Sequence, residues 1–233
     1  MPKRVTDPES PEEPGQYSSP PCSLHEFDAA ATAPGAEAEP NGWEQIRAWR
    51  KSTRERLIAQ RVAAPPHVRR VLGQSAKLRL EESVDLRQYT TIGIYWPIRG
   101  EFDVRDIARK HLDAGCVVGL PVIVERSAPV EFWKWRPGIR MQTGIWDIPI
   151  PAEREVVSPD LLIIPLVGFD TKGYRLGYGG GYYDRTIAAA ARRPFRVGLG
   201  YTSSSLATIY PQPHDIPMNL IVTDKVVQRV TAE

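Results

Sequence analysis

The glycine-rich segment 173–185, GYRLGYGGGYYDR, constrains the fold of this chain more than any other stretch. It follows an apolar run at 161–167, LLIIPLV, whose length and composition predict a buried strand. From Tyr182 to about Arg192 the residues favour a helix. The sequence therefore predicts a strand, a glycine-rich loop and a helix in direct succession.

This loop has the features of an anion site. Four of the five residues at 177–181 are glycine, which lets the backbone approach a ligand closely and point several N–H groups at it. The helix that follows adds the positive end of its dipole, and Arg175 and Arg185 add charge suited to phosphate. Neither G-x-G-x-x-G nor G-x-x-x-x-G-K matches, because Tyr182 stands where the third glycine belongs and the loop has no lysine. A plain glycine-rich turn is the alternative.

Helical and strand patterns alternate along the rest of the chain. Helices are predicted at 43–62, 67–82, 103–112 (with Asp103 as N-cap) and 182–192, and strands at 90–96, 116–124, 130–135, 161–167, 196–201 and 219–223. Strands that alternate with helices predict an α/β layered domain with a largely parallel sheet. In such sheets ligands bind beyond the carboxyl ends of strands, where the glycine-rich loop lies.

Residues 1–42 differ in composition from the rest. They hold eight of the 22 prolines, few large apolar residues, and two basic against eight acidic residues, a net charge of −6. Because the whole chain carries +2, the remaining 191 residues carry +8. So little apolar surface cannot offset chain entropy, and we predict a flexible, acidic, proline-rich tail at 1–42 before a single folded domain at 43–233. The basic domain predicts an anionic ligand.

The composition excludes several classes of protein. No run approaches the ~18 apolar residues that a spanning helix requires. No apolar segment follows Lys3-Arg4 in the first thirty residues, so a secretory signal is not expected. Cys22 and Cys116 are the only cysteines and no histidine cluster surrounds them, which excludes a disulfide framework and a cysteine-rich zinc site. A cytoplasmic protein is expected.

The first predicted helix is unusually basic. Its basic residues are Arg47, Arg50, Lys51, Arg54, Arg56 and Arg61. One helical turn separates Arg50 from Arg54, so both reach from one face. With Trp43 and Trp49 the helix also has the charge and stacking groups of a nucleic-acid-binding module, but that alternative leaves the glycine-rich loop unexplained and the acidic tail would repel phosphate. A solvated basic face is the remaining alternative.

The segment Arg175–Arg185, RLGYGGGYYDR, resembles the motif of the 5-formyltetrahydrofolate cyclo-ligases, also called methenyltetrahydrofolate synthetases. Other segments agree with that family: the helix at 50–54, residues 96–103 (WPIRGEFD), 148–151 (IPIP), 165–170 (PLVGFD) and His214-Asp215. The resemblance covers about residues 45–224 and leaves only the tail unaccounted for.

This resemblance implies a three-layer α/β/α sandwich and a ligase of one-carbon metabolism. Such enzymes use ATP as co-substrate and Mg²⁺ to close 5-formyltetrahydrofolate into 5,10-methenyltetrahydrofolate, with release of ADP and phosphate. The formamide oxygen is a poor leaving group, so it first takes the γ-phosphoryl group of ATP, and N10 then attacks the activated carbon. Partners are expected to be these small molecules, with no nucleic acid and no membrane, and a monomer is expected.

The resemblance also assigns a nucleotide site. It implies that Arg50 and Arg54 contact ATP phosphates and that Arg175 and Tyr182 act in catalysis. The loop residues implied to contact ATP are Arg175, Leu176, Gly177, Tyr178, Gly179, Gly180, Gly181, Tyr182 and Tyr183. Family members often have lysine where Arg50 stands, and some have basic residues in place of Tyr178 and Gly180. A relative that binds nucleotide or folate without turnover is therefore an alternative.

The implied site for reduced folate consists of Arg54, Trp96, Glu101, Tyr178, Gly179, Gly180, Gly181 and Tyr182. Glu101 would accept hydrogen bonds from pterin N–H groups, which suits a carboxylate, and a solvated loop glutamate is the alternative. Trp96 would line the pocket, or else belong to the core.

Two aspartates are implied to hold the metal. Asp184 and Asp215 would bind Mg²⁺, a hard ion that takes carboxylate oxygens. The alternatives are a helix cap at Asp184 and an ordinary turn at Asp215. Trp133, Trp135 and Trp146 are further aromatic residues to which no role is assigned.

Overall fold

The computed structural model describes Pro40 and residues 42–230. The predicted tail at 1–42 lies outside the described residues, apart from Pro40 and Gly42. The described chain contains four α-helices and thirteen strands. The helices are α1 (Trp43–Ala63), α2 (Pro66–Ser83), α3 (Arg105–Asp113) and α4 (Tyr182–Ala189).

Most of the strands are short. They are β1 (Thr91–Gly93), β2 (Val117–Val122), β3 (Glu131–Lys134), β4 (Met141–Thr143), β5 (Pro149–Pro151), β6 (Val156–Val157), β7 (Leu161–Pro165), β8 (Gly168–Asp170), β9 (Arg175–Leu176), β10 (Phe195–Leu199), β11 (Ser205–Leu206), β12 (Leu220–Val222) and β13 (Val227–Arg229). Short 3₁₀ turns lie at Leu86–Gln88, Ile145–Asp147 and Thr202–Ser204.

Eight of these strands form the main sheet, in the order β13-β12-β10-β7-β1-β2-β3-β6. The five central strands, from β12 to β2, pair in parallel. Strands β13, β3 and β6 join antiparallel at the two sides. The prediction of an α/β fold with a largely parallel sheet is confirmed.

The central strand β7 shows how the layers form. Leu161 and Ile163 belong to a buried cluster shared with α2 and α3, and Leu162 and Ile164 belong to a second cluster that includes Ile187 of α4. Because successive strand side chains point to opposite faces, helices cover both faces of the sheet. This arrangement is the three-layer sandwich that the family resemblance implies.

Helix α1 packs elsewhere. Helix α2 begins at Pro66, and the first position of a helix is one where proline is common. Because proline disrupts a helix interior, α1 ends before this residue. Leu57 of α1 lies in a third buried cluster with Val167, Leu176 and Ile209. The basic helix therefore rests on the segment that leads into the glycine-rich loop. Among the described residues, no helix combines the length and the apolar character needed to cross a membrane.

Some predicted boundaries are wrong. The N-cap of α3 is Val104, and Asp103 lies one residue earlier, where its carboxylate accepts the Arg105 backbone N–H at 3.0 Å. The strand predicted at 90–96 is regular only from Thr91 to Gly93. The hairpin of β4 and β5 and the small sheet of β8, β9 and β11 were not predicted, because strands of two or three residues show no periodicity.

Candidate functional site

A small three-stranded sheet presents the glycine-rich loop. Strand β8 pairs antiparallel with β9 and parallel with β11. The turn between β8 and β9 is held by Asp170, whose carboxylate accepts the backbone N–H groups of Lys172 and Tyr174, both at 3.0 Å. Strand β9 then leads directly into residues 177–181 and the N-terminus of α4.

The conformation of the loop requires glycine at two positions. Gly179 has φ +96°, and Gly181, the N-cap of α4, has φ +63°. For any residue other than glycine, a positive φ is energetically unfavourable because the side chain is crowded by the backbone. No side chain caps α4, so its first N–H groups face the loop without a capping oxygen. An uncapped helix N-terminus preceded by glycines is the arrangement on which the predicted anion site depends.

Arg50 and Arg54 of α1 reach different parts of this region. Arg54 donates from Nε to the carbonyl oxygen of Gly177 at 2.8 Å. Arg50 is only 6% exposed and donates to the carbonyl oxygens of Ile209 and Tyr210, each at 3.0 Å. It also forms an ion pair with Asp215. Arg54 thus contacts the loop itself, whereas Arg50 holds the segment 209–215.

Arg175 and Asp184 form a second ion pair behind the loop. Arg175 Nη2 lies 2.9 Å from Asp184 Oδ2, and Nη1 lies 3.2 Å from Oδ1. Asp184 Oδ1 also accepts the backbone N–H of Ile216 at 3.0 Å. Asp184 does not cap α4, so that alternative is wrong. Its contacts bring the start of α4 next to the segment that carries Asp215.

Asp184 and Asp215 are the side chains expected to hold Mg²⁺. Asp184 and Asp215 each face an arginine, which neutralises their charge. Within residues 42–230 no three or more histidine, cysteine or acidic side chains cluster in a way that suits a metal ion. These two aspartates fit Mg²⁺ only as an ion that takes most of its ligands from nucleotide phosphates and water, which is how proteins commonly bind it.

Glu101 lies in a tight turn that faces the same loop. Its carboxylate Oε2 accepts the Ile98 backbone N–H at 2.9 Å, and its Oε1 accepts the Tyr178 hydroxyl at 2.6 Å. The side chain is 3% exposed, so the alternative of a solvated loop glutamate is wrong. Burial raises the pKa of Glu101 above its usual range, and the nearby Arg61 guanidinium opposes that rise.

Aromatic side chains surround the N-terminus of α4. The Tyr182 ring lies edge-on to Trp146, with centroids 5.8 Å apart, and Arg185 stacks over it at 5.0 Å. Trp146 is 42% exposed and has φ +59°, and its neighbour Asp147 has φ +56°. Two consecutive left-handed residues are costly, and they hold an indole in the open beside Tyr182.

Other predicted residues lie in different surroundings. Leu176 is buried in the cluster around Leu57, so only its backbone can face a nucleotide. Tyr183 packs in the second core cluster, with the Arg175 guanidinium 5.6 Å from its ring centroid. The Arg105 guanidinium lies 4.7 Å from the centroid of the Trp96 ring. Gly180 accepts the Arg185 guanidinium at its carbonyl oxygen, at 2.6 Å.

Two residues of the region had no predicted role. Arg61 is buried beside Glu101 and Tyr178, and Trp146 adjoins Tyr182. The basic composition of α1 contains Arg61 but does not distinguish it from its neighbours. Trp146 was one of three tryptophans without an assigned role, and its backbone conformation is not visible in the sequence. Trp135 belongs to the core, and Trp133 donates to Glu131 beside it.

Fold and site together define an α/β protein with a glycine-rich loop at an uncapped helix N-terminus, bordered by buried arginines and a buried carboxylate. A family model described as the 5-formyltetrahydrofolate cyclo-ligase family matches residues 46–224. This chain belongs to that family.

Two curated relatives are similar to this chain over most of their own length. A protein of Mycolicibacterium smegmatis named 5-formyltetrahydrofolate cyclo-ligase is 30% identical over 181 residues, covering 74% of this chain and 92% of the relative. The Escherichia coli K12 protein of the same name is 30% identical over 171 residues, covering 70% and 94%.

Two solved structures share the fold. The NMR structure of 5,10-methenyltetrahydrofolate synthetase from Aquifex aeolicus matches with a TM-score of 0.69 and 26% identity, covering 79% of this chain and 94% of that one. A 5,10-methenyltetrahydrofolate synthetase from Mycoplasma pneumoniae matches with a TM-score of 0.62, covering 76% and 99%. At 24% identity the second match supports the fold alone.

Proposed function

We propose that this protein converts 5-formyltetrahydrofolate and ATP into 5,10-methenyltetrahydrofolate, ADP and phosphate, with Mg²⁺ accompanying the nucleotide. Membership of the cyclo-ligase family supports the reaction. The arrangement of the site supports the use of an anionic co-substrate, because an uncapped helix N-terminus and a glycine-rich loop favour phosphate.

The contacts of two neighbouring loop residues carry this proposal. Gly177 accepts Arg54 of the basic helix, and Tyr178 donates to Glu101. One loop therefore touches both the cation assigned to nucleotide phosphates and the carboxylate assigned to the pterin. A reaction that transfers a phosphoryl group from ATP to a formyl oxygen needs those two substrates side by side.

Each part of the site has a task in this proposal. The N–H groups at 177–183 and Arg54 would hold the phosphates of ATP. Arg175, oriented by two bonds to Asp184, would neutralise charge that develops on the transferred group. Glu101 would accept pterin N–H groups, and Tyr182 would close the loop over the formyl group. Arg50 would act on the nucleotide mainly by fixing the segment 209–215.

The chemistry balances in two steps. The formyl oxygen on N5 attacks the γ-phosphorus of ATP, and ADP leaves. N10 then attacks the activated formyl carbon, phosphate departs with the oxygen, and N10 loses its proton. Bound at the nucleotide, Mg²⁺ supplies neutralisation of phosphate charge. The site must exclude water from the phosphorylated formamide, because hydrolysis of this intermediate would consume ATP without forming the methenyl product.

Absorbance in the long-wavelength band of the methenyl product tests the proposal. Purified protein with 5-formyltetrahydrofolate, ATP and Mg²⁺ should produce that band, and omission of ATP or Mg²⁺ should abolish it. A flat trace from folded protein under complete conditions would contradict the proposal.

A second candidate function is a non-catalytic binder of nucleotide or folate. One observation favours it: Arg50, Asp184 and Asp215 are all engaged in ion pairs. In that case isothermal titration would detect ATP binding while the absorbance trace stayed flat.

The setting of the reaction is also proposed. We infer that the protein acts in the cytoplasm on small molecules, without nucleic acid or membrane. We also infer that it acts as a monomer, because α1, Glu101 and the glycine-rich loop of a single chain supply all the groups that the proposed reaction uses. Sedimentation at assay concentrations should give the mass of one chain.

A further inference from the structure

Arg61, in the last turn of α1, is buried at the meeting point of three segments. Its Nε donates to the Arg99 carbonyl oxygen at 2.9 Å, and its Nη1 donates to the Leu166 carbonyl oxygen at 3.1 Å. Its Nη2 donates to the Tyr178 hydroxyl at 2.7 Å and lies 3.8 Å from Glu101 Oε1. Every nitrogen of the guanidinium therefore has a partner.

These contacts place one cation between the carboxylate and the loop. The Tyr178 hydroxyl accepts from Arg61 and donates to Glu101, so its proton is directed at the carboxylate. The side chains of Arg61 and Glu101 are 6% and 3% exposed, so water screens the pair very little. Arginine suits this position because its planar fork can bond several acceptors at once.

We propose that Arg61 is a positioning residue for the reduced-folate site, where it favours the charged form of the Glu101 carboxylate, orients it, and connects it through Tyr178 to the glycine-rich loop. The role in folate binding rests on the proposed function. The positioning of Glu101 by Arg61 rests on the contacts alone. In the proposed role Arg61 does not contact the substrate or the reacting atoms. It acts through its contacts with Glu101 and Tyr178.

The groups around Glu101 make its ionisation depend on Arg61. Burial raises its pKa, and Arg61 is the strongest of the influences that lower it. Arg99, on the same turn, also lowers it. The nearby tyrosines at 95, 178, 183 and 201 have raised pKa values, so they stay neutral. The cavity that Glu101 lines also contains charged side chains of α2 and its surroundings, namely Arg69, Arg70, Lys77, Asp103 and Asp106.

The experiment compares the wild type with Arg61→Met and Arg61→Lys. Carbon-13 NMR of labelled glutamate side chains, with the Glu101 signal assigned by its loss in Glu101→Gln, follows the titration of this carboxyl. In Arg61→Met its pKa should rise by about one unit or more, and Arg61→Lys should restore part of the difference. Thermal unfolding of each variant verifies that it is folded at the pH values used.

Binding of 5-formyltetrahydrofolate without ATP gives the functional measurement. Binding to Arg61→Met should weaken as the pH falls, by about tenfold for each pH unit below the Glu101 pKa, and wild-type binding should show the same weakening only at a lower pH. In the Glu101→Gln background, Arg61→Met should add little further loss, because the two residues act as one unit. Arg196→Met, which removes a partly buried arginine bound to the Pro217 and Pro194 carbonyls, is the matched control and should keep the wild-type profile.

Two outcomes overturn the inference. An unchanged Glu101 titration in folded Arg61→Met removes the positioning role, and additive losses in the double variant remove the path through Glu101. If the wild type does not bind 5-formyltetrahydrofolate, the proposed function fails, and the NMR titration still decides whether Arg61 controls the carboxyl.

Discussion

Arg50 and Arg54 stand one turn apart on α1, yet their surroundings give them different roles. Arg50 is buried and bonded to two carbonyls and Asp215, whereas Arg54 is partly exposed and donates to Gly177. The same contrast occurs among the glycines. Gly179 and Gly181 need their left-handed backbone, while Gly177 has an ordinary φ and no atom within 4 Å of where a Cβ would lie. At Gly177 neither the backbone conformation nor a neighbouring atom requires glycine.

Gly177→Ala should therefore separate binding from stability. The alanine fits the backbone, so the free energy of unfolding should be unchanged or rise by about 0.4–1 kcal/mol. In the proposed function the backbone at 177 approaches the nucleotide closely, so the added methyl group should raise KM for ATP at least about tenfold. Denaturant titration and steady-state kinetics measure the two effects. Gly179→Ala is the contrast, since its φ of +96° predicts a loss of about 1 kcal/mol. An unchanged KM in Gly177→Ala would mean that no ligand approaches this position.

Replacement of Arg50 should mainly lower stability, whereas replacement of Arg54 should mainly weaken the use of ATP. Arg50→Ala leaves the carboxylate of Asp215 without its cation and should lower the free energy of unfolding by roughly 3 kcal/mol. Arg54→Ala loses the bond to the Gly177 carbonyl, which contributes about 1 kcal/mol, and should raise KM for ATP much more than KM for the folate. Arg56→Ala, at an exposed position of the same helix, is the control and should change neither quantity. Equal effects of Arg54→Ala on both KM values would make α1 a scaffold only.

At the scale of elements, the long periodic segments and the strands inside apolar runs were predictable, whereas the remaining short strands were not. Helices α1 and α2 begin and end within a residue or so of their predicted limits, because apolar periodicity and Pro65-Pro66 mark them. Strands β8, β9 and β11 have two or three residues each, too few for a pattern, and their pairing depends on contacts distant in sequence. Nevertheless, this small sheet determines the position of the glycine-rich loop, because β9 leads directly into it.

Helix α3 offers a test of stability against pH. Its His111 is 4% exposed, and its Nε2 has no hydrogen-bond partner among the described residues. Burial lowers the pKa of His111 from its usual 6.5, although Asp160 acts in the opposite direction. The native state then binds fewer protons than the unfolded state near pH 6, so the free energy of unfolding should fall as the pH drops below about 6.5.

His111→Leu should remove that part of the pH dependence. The variant also eliminates a buried polar atom without a partner, which should raise stability at pH 7 by about 1 kcal/mol. Urea unfolding of both proteins between pH 5 and 8 gives the comparison. Parallel curves for wild type and variant would show that His111 is not the titrating group.

At the scale of the whole molecule, charge divides the chain. Residues 1–42 carry −6 and the remainder +8, and the matched family region begins at residue 46. Helix α1, Glu101 and the glycine-rich loop supply the proposed site from within that region. The acidic segment therefore has no assigned part in the reaction.

Removal of residues 1–40 should leave kcat, both KM values and the unfolding midpoint unchanged. Steady-state kinetics at two salt concentrations make the sharper comparison, since any attraction between the acidic segment and the basic domain is screened by salt. A large loss of turnover on truncation, or a KM for ATP that falls on truncation only at low salt, would show that the segment acts on the site.

The sequence alone was sufficient for the fold class, the order of the long elements and the position of the glycine-rich loop between a strand and a helix. These follow from local patterns: apolar runs, helical periodicity and glycines between a strand and a helix. Only the tertiary structure decided which groups meet. It paired Arg50 with Asp215 and Arg175 with Asp184, buried Glu101 beneath Tyr178, and placed Arg61 between them. Those contacts join residues up to 165 positions apart. No local pattern encodes them, because the cost of burying each charge is offset by a partner that only the folded chain brings within reach.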